Sequence, residues 1–210
     1  MWTKRLNRFA KLAWVGLLAV GVALYAAHQR RNLDASPHFR ELTQEQAVQA
    51  WSGGQVIGDG EAKLVVFSRY TCPFSRALLV RLDGLEVIDD RRPTFRIRHL
   101  VHPTDSVAYR AALGVVCADS YGRAREFHSA LLQDASQAQM VDLVAIADGT
   151  DIDDLAGFRA CLTSDEAAAS VRADFEHGME LGITGVPALV AGERLVTGSV
   201  PEAEIKELLR

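Results

Sequence analysis

The tightest constraint on the fold is one strand-to-helix junction. Residues 63–75 read KLVVFSRYTCPFS. Leu64, Val65, Val66 and Phe67 form an apolar, partly β-branched run, the composition of a buried strand. Pro73 then opens PFSRALLVRLDGLEVI, which reads as a helix; at a first helical turn the missing proline N–H costs nothing. Cys72 sits at the turn itself, at or beside the helix N-cap. Free N–H groups and the helix dipole favour an anion there, and the thiolate is the nucleophilic form of cysteine. Arg69 and Arg76 add to this if either side chain turns toward the sulfur. The plain alternative is an inert buried cysteine.

The rest of the body follows the same grammar. TFRIRHLV alternates like a strand, and from Asp105 to about Phe175 the pattern is helical. ALVAG and ERLVTGS are short strands joined at Gly192 and Glu193, a hairpin signal, and PEAEIKELL closes as a helix opened by Pro201. Strand, helix, strand, helical block, two strands and helix fit a small mixed sheet with a helical insertion. Pro187 precedes the penultimate strand in ITGVPALV, where a strand's first residue tolerates proline.

The N-terminus is a separate object. Lys4, Arg5, Arg8 and Lys11 precede the uncharged run Leu12–Ala27, and Arg30 and Arg31 follow it. Residues 1–28 read as a transmembrane anchor or signal segment. The basic bias toward the N-terminal side places the body outside the cytoplasm, on the periplasmic or extracytoplasmic side of a single-pass tether. Residues 29–60 read as a linker with one short helix in FRELTQEQAVQAW, whose apolar face is Leu42, Val48 and Trp51. Residues 61–210 form the exported domain, with the helical insertion at about 105–180. The net charge of -4 argues against a nucleic-acid partner. His99 and His102 lack neighbouring cysteines and read as surface or loop residues, so no metal site is expected. His128 reads as a helix-packing residue, and Asp151 or Asp153 as a helix cap.

The pairing of a Cys-Pro turn with a later Gly-Val-Pro carries a resemblance. From about Gly58 to Arg210 the chain resembles the DsbA-like branch of the thioredoxin superfamily. VVFSRYTCPFS is similar to that family's active-site segment, FRIRHLVHP to its second strand, AALGVVCADSYGRAREFHSALL to its helical insertion, and ELGITGVPALVAGERLVTG to its cis-proline segment and last hairpin. The resemblance implies a thioredoxin-like α/β fold. It implies that Cys72 attacks and carries mixed disulfides, that Pro73 and Phe74 tune it, and that a cis Pro187 faces it. Val186 would then offer its backbone to an added substrate strand. It also implies a structural disulfide between Cys117 and Cys161. Two separate thiols, or a resolving role for one of them, are the other readings.

The departure from the family is at Ser75. Members that donate disulfides carry a second cysteine there, and a serine cannot resolve a mixed disulfide. Ser75 can still hydrogen-bond the Cys72 thiolate. A monothiol acting on thiol- or disulfide-containing client proteins fits isomerase or reductase chemistry, with no cofactor beyond glutathione as a co-substrate. A catalytically inactive peptide-binding scaffold is the alternative.

Overall fold

The computed structural model describes residues 38–59, 61–85, 93–133, 142–198 and 200–209. The N-terminal apolar segment lies outside these residues. Among the described residues, no helix is long and apolar enough to cross a membrane.

Among the described residues, six strands form one mixed sheet: β1 His38–Glu41, β2 Gln55–Ile57, β3 Leu64–Ser68, β4 Phe95–His99, β5 Ala188–Ala191 and β6 Arg194–Thr197. Their order is β1-β6-β5-β3-β4-β2. β3 and β4 run parallel, and the other pairs are antiparallel. β3 occupies the interior of the sheet and is buried on both faces, which is why it reads as a continuous apolar run rather than an alternating one. Leu64 and Val66 project into one core layer, Val65 and Phe67 into the other.

The first layer is packed by α2 Pro73–Asp83, α3 Ser106–Asp119, α4 Ala124–Gln133, α5 Leu143–Gly149, α6 Leu155–Cys161, the first half of α7 Asp165–Glu180, and the closing α8 Glu202–Leu208. The second layer is smaller and is covered by α1 Gln44–Trp51 and by Leu181 and Ile183 just beyond α7. Among the described residues, α3 to α7 thus all lie between β4 and β5. A two-residue turn, Gly192–Glu193, links β5 to β6, with Gly192 at φ +56. Gly178 lets α7 lie directly on the sheet: a Cβ there would sit 2.2 Å from Leu100 Cδ1.

Three local expectations change. The 29–60 segment is not only a linker with a helix, because within it β1 pairs with β6 and β2 pairs with β4. Three- and four-residue strands carry too few side chains for a period-two pattern to stand out. In α1 the buried residues are Ala47 and Ala50, with Leu42 just before them, whereas Val48 is 66% exposed. Leu42 and Trp51 of the expected face do pack on this layer, and only Val48 departs from it; the small alanines let the helix approach the sheet. The cap of α6 is Asp154, which accepts from the Gly157 N–H at 2.8 Å, while Asp151 adopts φ +59 in the preceding turn.

Candidate active site

Cys72 is the N-cap of α2 and Pro73 its first residue. The Cys72 N–H donates to the Arg69 carbonyl at 3.0 Å, and the Cys72 carbonyl accepts from the Arg76 N–H at 2.9 Å. The chain therefore turns sharply at the cysteine and enters the helix at once. Proline at this position removes one of the N–H groups that a helix start leaves unpaired, and the Cys72 side chain makes no cap hydrogen bond to the others. Cys72 is only 8% exposed, whereas Phe74 beside it is 52% exposed.

The Val186–Pro187 peptide bond is cis. The Cys72 thiol donates to the Val186 carbonyl, with Sγ and O 3.7 Å apart. The structure thus brings together residues 114 positions apart, and it does so through the β3–β5 pairing that starts at Ala188↔Phe67.

Neither arginine turns to the sulfur. The Arg76 guanidinium donates to the carbonyls of Leu131 and Leu132 at the end of α4, and Arg69 pairs with Asp105 at 3.6 Å. Ser75 is fully buried on the inner face of α2, and among the described residues its hydroxyl has no hydrogen-bond partner. The expected bond from Ser75 to Cys72 is therefore not formed in this state.

Cys117 on α3 and Cys161 at the end of α6 are bonded to each other. Neither is then a free resolving thiol, and Cys72 is the free cysteine.

Sequence reasoning missed the polar groups packed behind the site. His99, expected at the surface, is fully buried where β4 ends. Its backbone N–H donates to Asp174 Oδ2 at 2.9 Å, while Asp174 Oδ1 accepts from Arg98 Nε at 2.8 Å. Arg98 is itself buried over the Phe67 ring and donates to the carbonyls of Gln49 and Ala50, tying α1 and α7 to β4. Tyr70 bonds His128 Nδ1, and its ring centroid lies 6.1 Å from that of His99. Burial lowers His99 to about 4, with Asp174 opposing the shift. Burial, helped by His99 and Arg125, lowers His128 to about 3. Burial and the charge of Asp83 push Tyr70 well above its ordinary value, against Arg76. The available signal was a polar residue closing each of the two parallel strands, Ser68 and His99.

A family model described as Thioredoxin matches residues 51–210. The chain belongs to the thioredoxin family. Among solved structures, this thioredoxin-family chain is similar to the thiol-disulfide exchange protein alpha-DsbA2 of Wolbachia pipientis. The two are 18% identical with a TM-score of 0.64, over 78% of this chain and 90% of that one. It is also similar to a thioredoxin-like oxidoreductase of Silicibacter pomeroyi, at 21% identity and TM-score 0.64, over 79% of this chain and 95% of that one. The catalytic domain of Proteus mirabilis ScsC matches at 21% identity and TM-score 0.56, over 80% of this chain and 97% of that one. At these identities the likeness is one of fold. No curated protein sequence matches the chain.

Proposed function

We propose that this domain carries out thiol–disulfide exchange on client proteins through Cys72 alone, as an isomerase- or reductase-like monothiol. The observation that carries the reading is the free Cys72 at a proline-opened helix start, 3.7 Å from the carbonyl that precedes cis Pro187. The description of the Wolbachia pipientis relative as a thiol-disulfide exchange protein supports the same chemistry. The basic, then apolar, N-terminal segment supports an exported domain tethered to the cell membrane.

The step conserves atoms and electrons. The Cys72 thiolate attacks one sulfur of a client disulfide. A Cys72–client disulfide forms, and the other client sulfur leaves as a thiolate and takes a proton from water. A second client thiolate then attacks the client sulfur of the mixed disulfide and returns Cys72 as thiolate. Isomerisation needs no external oxidant or reductant. If glutathione supplies the second thiolate, it leaves with the client as a client–glutathione disulfide. The backbone of Val186, half-buried beside Cys72, is the group that would pair with an extended client segment, so binding tolerates many sequences.

The test uses the exported domain and its Cys72→Ser and Ser75→Cys variants. The folded parent is expected to form a glutathione adduct by intact mass and to reactivate a scrambled disulfide protein. Cys72→Ser should do neither. Ser75→Cys should gain oxidation of a reduced dithiol protein, because positions three apart in the first helical turn share a face. Absence of any adduct on the folded parent overturns the reading in favour of a peptide-binding scaffold, which the low exposure of Cys72 would then explain.

A further inference from the structure

We propose that His99 is a positioning residue for the Cys72 thiol, acting through the Ser75 hydroxyl across a buried polar chamber that Ser68, Tyr70 and His128 complete. The inference rests on the reading of Cys72 as the working thiol, but it needs only that Cys72 ionises.

Topology places these groups together. Ser68 and His99 are register partners at the ends of parallel β3 and β4, so their side chains share the face that carries Leu64, Val66, Phe95 and Ile97. α2 begins immediately beyond β3, and Ser75 shares its buried face with Leu78, Leu79 and Leu82, which pack on that same layer. Ser75 therefore faces the same layer into which Ser68 and His99 project. Tyr70 closes the side, touching the rings of His99 and His128.

Five polar atoms in this chamber are buried without a partner among the described residues: Ser68 Oγ, Ser75 Oγ, both ring nitrogens of His99, and His128 Nε2. Buried polar side-chain atoms are nearly always hydrogen-bonded, so five orphans on one side of one core layer point to a connected set. Their chemistry is complementary. A neutral imidazole carries one N–H and one acceptor, and each hydroxyl donates once and accepts. Small rotations or ordered water can join them, as buried water commonly does between such groups.

The geometry then suits a thiolate better than a thiol. When Cys72 loses its proton to solvent, the Ser75 O–H turns and donates to the sulfur. Its oxygen accepts from the His99 N–H, directly or through water. No bond in Ser75 or His99 breaks, and no electrons move. With burial holding its titration to about 4, His99 is a neutral, fixed donor across the range in which thiols exchange. Tyr70 and His128 are the other titratable groups beside His99, and the charges that act on these three side chains are Asp174, Asp83, Arg76 and Arg125.

The experiment follows the alkylation rate of Cys72 against pH in the folded domain. Ser75→Ala is expected to raise the midpoint of the profile by about one to two pH units, the loss of one hydrogen bond to a charged group. His99→Phe should raise it in the parent but add nothing in the Ser75→Ala background, and His99→Gln, which keeps an N–H donor, should restore most of the parent midpoint. A purely structural histidine would move unfolding and leave the midpoint in place. The proposal is overturned if Ser75→Ala leaves the midpoint unchanged, if His99→Phe does so in the parent, or if His99→Phe shifts it equally in both backgrounds. If the His99 variants do not fold, the unaltered protein decides: blocking Cys72 with glutathione should shift the ring ¹⁵N resonances of His99, and unchanged resonances overturn the proposal. Alkylation needs no exchange activity. A parent that fails to form mixed disulfides with clients therefore counts against the function, and an unmoved midpoint counts against the positioning role.

Discussion

Asp174→Ala removes the anchor of the interior of this domain. The Asp174 carboxylate is bonded on one oxygen to Arg98 Nε at 2.8 Å and on the other to the His99 N–H at 2.9 Å, with both charged side chains almost fully buried. Truncation leaves a guanidinium inside the protein without its counter-charge, which costs about 3–5 kcal/mol. It also orphans a buried backbone N–H, worth about 1–3 kcal/mol. The Gln49 and Ala50 carbonyls still accept from Arg98 and soften the first loss, so the sum should come to about 4–6 kcal/mol. A domain of ordinary stability, about 5–15 kcal/mol, loses much of its margin. Urea unfolding reads this directly: with a slope of about 2 kcal/mol per molar, the midpoint should fall by about 2–3 M. Adding Arg98→Met removes the stranded charge and should recover at least half of the loss, because a buried pair is often no better than an apolar replacement. A loss below about 1 kcal/mol, or a double variant no more stable than the single one, would refute the account of Arg98 as a fully desolvated, carboxylate-dependent charge.

Acid should destabilise the fold before the carboxylates titrate. His99 and His128 are held near 4 and 3 in the folded protein, so below their unfolded value of about 6.5 the unfolded chain binds more protons. Their contribution is complete above about pH 6.5 and falls by about 1.4 kcal/mol per pH unit for each residue on the way down to about 4. Urea midpoints between pH 7 and 5 should show this slope, and His128→Phe should remove about half of it; a flat profile would show that both rings reach water. Reducing the Cys117–Cys161 bond, which spans 44 residues, should lower stability by about 4 kcal/mol on the chain-entropy estimate, measured in a Cys72→Ser background with and without reductant. Equal midpoints under both conditions would contradict it. Gly178→Ala should destabilise by about 1–3 kcal/mol, because its Cβ would have to displace Leu100, and a neutral result would show that the Leu100 side chain gives way freely.

The sequence by itself determined the elements that are long or that follow one another directly. The buried run before Cys72, the proline-opened helix, the Gly192–Glu193 hairpin and the helical stretch between β4 and β5 were all legible, because each is announced by local periodicity or by a proline or glycine with a fixed backbone demand. Cys72 was legible as a candidate for the same reason: its position at a helix start is a local fact. Only the tertiary structure decided what surrounds it. Tertiary packing sets Cys72 against the Val186 carbonyl across 114 residues, brings Cys117 to Cys161, turns Arg69 and Arg76 to Asp105 and the end of α4, and draws residues 38–41 and 55–57 into the sheet. It also buries His99, Tyr70 and His128 together and leaves Ser75 facing inward. Serine is mostly exposed and histidine intermediate, so nothing in their local pattern announces a buried cluster. Burial, which decides whether such a group must find a partner, is a property of the packed layers and not of any local stretch.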